Sequence, residues 1–311
     1  MPFNEYLKAP GLSSSNLMRF HDNPDSLFLP QEPKGYYELG HAFEDMIQDR
    51  FTGSQLFDEN YYVPDLTRYD CDIIKSNMPA RIYEIIEAGD YDLKDKEFRN
   101  KPKKGEKIGA LSATYKVLHR YLTEAEFRRG KPISKDDYLM LRFMYNNFLK
   151  MQIWGLGISD ILKKASFQVS VFWEQDGIQK KCRYDIVNAV LIDNKVQLVA
   201  FDIKTNAAFP QFITKFKRDY WIQDRHYCEG LEKYVEEINF KNKGKNLEPL
   251  YSFPAMVFLV SVKKEPYTAQ PFHLRENYLL EANMAYYDLV QSYQSWDHKL
   301  RGYKDLQQIG I

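Results

Sequence analysis

The sequence predicts an α/β protein, with a small mixed β-sheet flanked by helices and a helical N-terminal portion ahead of it. Three observations carry this prediction. Residues 71–151 read mostly as helix. At Ala165 the pattern changes to a period near two, with Phe167, Val169, Val171 and Trp173 alternating with Gln168, Ser170 and Phe172. Helical periodicity returns over 211–237 and from Glu276 to about Trp296, on either side of one apolar run, Ala255 to Val262. With 311 residues, 44% hydrophobic and 15% aromatic, the chain can bury a real core, and disorder over most of its length is excluded. The expected division is a helical portion over 1–160 and a sheet-centred core over 161–311.

The elements follow in order. Ser13-Ser14-Ser15 can cap a helix through Asn16 to His21, because serine oxygens accept the free N–H groups of a first turn. Pro24 and Pro30 break the chain, and Gly35 to about Arg50 reads as a second helix carrying Gly40-His41. A basic loop, with Lys101, Lys103, Lys104 and Lys107 around Pro102 and Gly105, interrupts the helical stretch. Ser134 with Asp137 three residues on resembles a weak capping box and opens a helix running through Met151. Asp176-Gly177 is a hairpin turn between the first strand and a second, Lys181 to Leu191. Asp193-Asn194 is another turn. It leads into Val196 to Asp202, a largely apolar and therefore central strand.

Composition excludes several classes. There are 43 basic and 43 acidic residues, so no net charge draws the whole chain to nucleic acid, and any such contact must be local. Cys71, Cys182 and Cys228 are odd in number, far apart and in no C-x-x-C pair, which argues against a disulfide framework or zinc ribbon. Four-cysteine iron–sulfur ligation is excluded by count. No apolar run is long enough to span a bilayer, and Met1 to Lys8 lacks a leader pattern, so a soluble, cytoplasmic protein without a membrane partner is expected. No P-loop pattern is present, so no ATP-driven motor is expected.

Chemistry concentrates at the end of the third strand. In Phe201-Asp202-Ile203-Lys204, alternation puts Asp202 and Lys204 on one face. This is either an ion pair on a solvated surface or a hydrolytic site, in which Asp202 binds a divalent metal while Lys204 orients or activates a water and stabilises phosphate charge. Asp185 sits inside an apolar run of the hairpin strand, where a carboxylate is costly unless paired or metal-bound. Facing Asp202, it would complete an oxygen site suited to Mg²⁺ or Mn²⁺. Paired with Arg183, it would be structural.

Asp185 followed by Asp202-Ile203-Lys204 resembles the PD-(D/E)XK nuclease core. Gly40-His41 is similar to the histidine motif of RecB-type nucleases, and Gln223-x-x-x-Tyr227 to their Q-x-x-x-Y motif. Leu12-Ser-Ser-Ser-Asn-Leu-Met-Arg-Phe with Asn23-Pro24 is similar to the opening of RecE-like exonucleases of phage origin. The resemblance spans about residues 11–300. It implies Asp185, Asp202 and Lys204 as catalytic residues and His41, Asp185, Asp202 and Ile203 as metal ligands. It also implies DNA contacts from Gln223, Tyr227, Tyr220, Lys181, Lys217 and Arg218. Lys180, Lys215, Arg225 and the 101–107 loop are further candidates for phosphate contact, and Trp221 is a candidate stacking or core residue. Gln168 stands where the family often has Glu. The implied activity is Mg²⁺- or Mn²⁺-dependent exonucleolytic digestion of linear double-stranded DNA, 5′ to 3′, in DNA recombination or phage DNA metabolism of a bacterial or phage-infected cell. Double-stranded DNA ends, a single-strand annealing protein and further copies of the chain are the implied partners. A structure-specific endonuclease on the same core, or a DNA-binding protein that keeps the fold without cleaving, are the alternatives.

Overall fold

The computed structural model describes residues 3–28, 38–63, 131–245 and 247–308. The basic loop 101–107, Cys71 and the helical pattern between them lie outside the described residues. The chain forms two compact units, one of residues 1–34 with 146–311 and one of residues 35–145. This differs from the expected division at residue 160, because the first 34 residues belong with the sheet.

The first unit begins with helices α1 (Phe3–Lys8) and α2 (Ser14–Asp22). Ser13 caps α2, its hydroxyl oxygen accepting the Asn16 N–H at 3.3 Å. In the second unit, α3 (Glu38–Thr52) and α4 (Leu56–Asn60) are joined through Asp49, whose carboxylate accepts from Ser54 Oγ and from the N–H groups of Leu56 and Phe57 at 2.7–2.9 Å. Strands β1 (Tyr61–Tyr62) and β2 (Lys131–Pro132) pair in parallel. Helix α5 (Lys135–Phe148) starts at a reciprocal cap: the Asp137 N–H donates to Ser134 Oγ at 3.1 Å, and that hydroxyl donates to Asp137 Oδ2 at 2.7 Å.

Back in the first unit, a short hairpin of β3 (Gln152–Ile153) and β4 (Leu156–Gly157) and helix α6 (Ile158–Leu162) lead to the main sheet. Its strands are β5 (Ser166–Gln175), β6 (Ile178–Ile192) and β7 (Lys195–Asn206). After helix α7 (Phe209–Lys215), a π turn (Phe216–Tyr220) and helix α8 (Trp221–Lys241) come β8 (Tyr251–Ser252), β9 (Val257–Val262) and β10 (Ala269–Phe272). Helix α9 (Glu276–Gln308) closes the chain. The six-stranded sheet has the order β10-β9-β7-β6-β5, with β8 paired to β7. β5–β6, β6–β7 and β9–β10 are antiparallel, whereas β9 and β8 run parallel to β7.

Local chemistry explains the order. Asp176-Gly177 and Asp193-Asn194 both take positive φ at the two turn positions, the left-handed geometry that matches strand twist in a two-residue hairpin. All six residues of β9 are buried, as expected of a strand covered on both faces. Pro271, which cannot donate to a ladder, lies on the edge strand β10. One core cluster gathers Trp173, Cys182, Tyr184, Val187, Ala200, Phe212, Leu231, Met256 and Phe258 between the sheet and α7–α8. A second joins Leu12, Leu17, Ile222, Tyr286 and Val290, packing α2 against α8 and α9. The N-terminal segment is tied in by backbone: the Leu12 N–H donates to Gln179 O at 2.8 Å, and the Lys181 N–H donates to Leu12 O at 2.9 Å. Cys182 and Cys228 are free thiols and buried. Among the described residues no helix is long and apolar enough to cross a membrane.

Candidate active site

The site forms where two neighbouring strands part. The β6–β7 ladder runs from Ile192 opposite Lys195 to Ile186 opposite Phe201 and stops there, although β6 continues back to Ile178 and β7 on to Asn206. Beyond that level β7 stays paired with β9, and β6 stays paired with β5. Asp185 and Asp202 are the next residues on each strand, so they flank the mouth of the fork. Asp185 Oδ2 accepts the Ile203 N–H at 3.0 Å, replacing the missing ladder bond. In an extended strand the N–H and C=O of one residue point to the same edge, so the Ile203 carbonyl is turned toward the same gap.

Asp202 is 3% exposed and held from two sides. Gln223 Nε2 donates to its Oδ1 at 2.7 Å, and Lys204 Nζ lies 2.5 Å from its Oδ2. Burial presses the Lys204 pKa down, but Asp202, Tyr220 and Asp185 more than offset it, and the net shift is upward. Lys204 is therefore an ammonium at neutral pH. In that form it can donate to a water or a phosphate oxygen. The π turn carries Tyr220 over this ammonium, its ring centroid 5.3 Å from Nζ and stacked on Phe258. Tyr227 is half-buried and packs edge-on against Tyr184. Burial first, then the charges of Asp202, Cys182, Tyr6 and Asp185, push its pKa well up and keep the phenol protonated.

Most of the remaining sequence candidates are engaged within the fold. Gln223 is buried on Asp202 and is not presented at the surface for DNA, because the helix face it shares with Tyr227 is turned to the sheet. Lys181 is buried as well. Its ammonium donates to the carbonyls of Tyr6, Leu7 and Ala9 at 3.0, 3.2 and 2.6 Å, and so caps the C-terminal end of α1. Lys180 is bound to both oxygens of Glu229 at 2.8 Å, and Arg225 is paired with Asp224 in the core. Trp221 packs beside the α2–α8–α9 cluster, edge-on to His21. Lys217 and Arg218 stay exposed on the π turn and Lys215 half-exposed just before it, and Arg218 pairs with Asp219. His41 belongs to the second unit. It is exposed there, 3.5 Å from Glu44, whose hydrogen bond raises its pKa.

Sequence reading also missed a feature opposite Asp185. Tyr184 and Val187 join the same core cluster, which strict alternation forbids, so the side-chain pattern of β6 breaks between them. Facing the break, Gln168 has φ +54 and drops out of the β5–β6 ladder, although the register on either side is unchanged. Left-handed backbone at a residue that is neither Gly nor Asn costs on the order of 1–3 kcal/mol, and such strain clusters at functional sites. Gln168 Oε1 accepts from Arg183 Nε at 2.9 Å, and Arg183 Nη1 donates to Ser170 Oγ at 3.4 Å. The positive φ was the only available signal, and sequence does not encode it at a glutamine.

The donor set fits a hard divalent cation. Among the described residues no three His, Cys, Asp or Glu side chains gather into an all-protein metal cage. Two carboxylates with a backbone carbonyl, the rest left to water and phosphate, is instead the usual arrangement for Mg²⁺. No protein-family model and no curated protein matches the chain. Among solved structures it is similar to one from Eubacterium rectale described as "Putative exonuclease", at 15% identity and a TM-score of 0.39, over 94% of this chain and 85% of that one.

Proposed function

We propose that this chain is a Mg²⁺- or Mn²⁺-dependent deoxyribonuclease, acting as an exonuclease on the ends of linear double-stranded DNA. The observation that carries this reading is the fork, which brings Asp185, Asp202 and the Ile203 carbonyl to one gap with the Lys204 ammonium beside it. Asp185, Asp202 and Ile203 would hold the metal, which when bound supplies Lewis-acid polarisation of the phosphate and a more acidic water. Lys204 donates to the attacking water or a non-bridging phosphate oxygen and stabilises charge that builds there. Gln223 fixes the rotamer of Asp202. Tyr220 and Tyr227 wall the site, and the exposed Lys217, with Lys215 and Arg218, offers cationic contacts to the strand backbone. Such local contacts suit a chain of zero net charge. The 5′-to-3′ direction, assembly with further copies and cooperation with a single-strand annealing protein in recombination or phage DNA metabolism rest on the resemblance to RecE-like enzymes.

The test is release of acid-soluble nucleotides from linear duplex DNA in Mg²⁺, Mn²⁺ and EDTA. Asp185→Ala and Asp202→Ala are each expected to lower the rate at least about a hundredfold, and full activity in either sinks the reading. One observation favours a second reading, a DNA-binding protein that does not cleave: both Asp202 oxygens are already engaged by Gln223 and Lys204. Retained DNA affinity with no nucleotide release in either metal would establish it.

A further inference from the structure

We propose that Tyr220 is the positioning residue of Lys204: its ring holds the ammonium beside Asp202 and so fixes where the lysine donates. The inference rests on the nuclease reading above and deepens it. Lys204 Nζ lies 2.5 Å from Asp202 Oδ2 and 5.3 Å from the centroid of the Tyr220 ring. An ammonium over an aromatic face is attracted by the electron density of the ring, most strongly where water is excluded. The lysine side chain is 22% exposed, so an incoming phosphate can still reach it. An ammonium carries three N–H groups. With the carboxylate on one side and the ring on another, a third remains for a water or a phosphate oxygen. A second carboxylate in place of the ring would also hold Lys204, but it would spend a donor and compete for the metal.

The ring is itself held by the sheet beside the site. Phe258 is the β9 partner of Asp202 in register. Tyr220 stacks on it, with ring centroids 5.8 Å apart and planes inclined by 22°. Phe212 and Phe216 pack on the same Phe258 ring at 5.6 Å, so the ring that meets Lys204 rests on an aromatic floor. Tyr220 and Gln223, three residues apart, divide the ion pair between them. Tyr220 takes the ammonium, and Gln223 donates to the carboxylate at 2.7 Å. One helical turn thus grips both members of the pair. Tyr220 ends the π turn Phe216–Tyr220, a rare form of helix that recurs at functional sites. The sequence resemblance implies a DNA contact for Tyr220. A ring already set between Phe258 and Lys204 is suited instead to aiming the lysine.

The experiment uses the full chain and linear duplex DNA in Mg²⁺, with kcat and KM read separately for wild type, Tyr220→Leu, Tyr220→Phe, Lys204→Ala and the double variant Tyr220→Leu with Lys204→Ala. Tyr220→Leu keeps apolar bulk but removes the ring, and kcat is expected to fall about threefold to thirtyfold with KM unchanged. Tyr220→Phe restores a ring and is expected to recover most of that loss. On the Lys204→Ala background Tyr220→Leu is expected to cost nothing further, because a positioning residue acts only through the group it positions. Should Tyr220→Leu fail to fold, trifluorophenylalanine in place of Tyr220 decides. Fluorine withdraws electron density from the ring at nearly constant shape, so kcat is expected to fall below that of Tyr220→Phe. Wild-type kcat in Tyr220→Leu, equal rates for the fluorinated and unfluorinated rings, a rise in KM alone, or an undiminished loss on the Lys204→Ala background each overturn the assignment while leaving the nuclease reading intact. Absence of cleavage by the wild type overturns both.

Discussion

Acidification should destabilise this protein through His226. The imidazole is fully buried between β6 and α9. Its Nε2 lies 3.0 Å from the Lys181 carbonyl, which can only accept, so Nε2 carries the proton and Nδ1 accepts from the Tyr286 hydroxyl at 2.9 Å. The groups facing it are Lys180 from β6, Glu229 from its own helix, Tyr286 from α9 and the Trp173 ring at 5.0 Å from β5. Burial, with a smaller contribution from Lys180, pulls its pKa from 6.5 down to about 4, against the opposing pull of the Lys181 carbonyl and Glu229. A folded pKa below the unfolded one means that the unfolded chain binds the extra proton first. Stability is therefore lost as pH falls from about 6.5 to about 4 and levels off below that. A gap of about 2.5 pH units at ~1.36 kcal/mol per unit amounts to ~3 kcal/mol, a large share of the 5–15 kcal/mol typical of folded domains. His226→Gln preserves both bonds, an amide N–H to the carbonyl and an amide oxygen for Tyr286, and removes the titration. Urea unfolding of both proteins at pH 7, 6, 5 and 4 should show similar stability at neutral pH and a variant whose acid slope is shallower by up to ~1.36 kcal/mol per unit. Identical slopes would refute the argument.

Three further outcomes are expected. Gln223→Leu removes the amide from Asp202 and should lower kcat about tenfold to a hundredfold, the equivalent of roughly 1.5–3 kcal/mol for a hydrogen bond to a charged group, with an unchanged far-UV circular dichroism spectrum. Lys181→Met keeps the apolar stem but strips three carbonyls at the end of α1 of their donor. The melting temperature should fall by an amount corresponding to roughly 2–3 kcal/mol, while the salt slope of DNA binding should not move, because this lysine is not a phosphate contact. Gly230→Ala puts a Cβ 2.9 Å from Trp173 Cζ3 and Tyr184 Oη and 3.0 Å from Cys182 Sγ. Overpacking of ~1–3 kcal/mol should outweigh the ~1 kcal/mol gained in helix propensity. The same clash displaces the Tyr184 hydroxyl from the Tyr227 carbonyl, so denaturant midpoint and cleavage should fall together.

Much of the framework is legible in the sequence because it is local. Asp176-Gly177 and Asp193-Asn194 specify their turns by backbone preference. Ser13 and the Ser134–Asp137 pair cap their helices, and period-two alternation carries Asp202 and Lys204 to one face. What escapes the sequence is long-range. Two-residue β8 and Pro-containing β10 are too short and irregular to show a period, and only the neighbouring strand makes them strands. Lys180, Lys181 and Arg225 look like surface charge, yet each is buried because a partner distant in sequence or adjacent on the helix neutralises or hydrogen-bonds it. The run Gln223-Asp224-Arg225-His226 did carry a signal. Four consecutive polar residues cannot share one solvent face of a helix, and in the structure all four are buried on partners. The break in alternation at Asp185 and the left-handed Gln168 opposite it have no counterpart in residue preference at all.

The most direct test of the fork as a nuclease site is digestion of linear against covalently closed circular duplex DNA by wild type and Lys204→Ala, each in Mg²⁺ and in EDTA. The account predicts loss of the linear form alone, in Mg²⁺ alone, and a rate reduced by about a hundredfold or more in the variant. Cutting of the closed circle would contradict the exonuclease assignment, and digestion by Lys204→Ala at the wild-type rate would contradict the site itself.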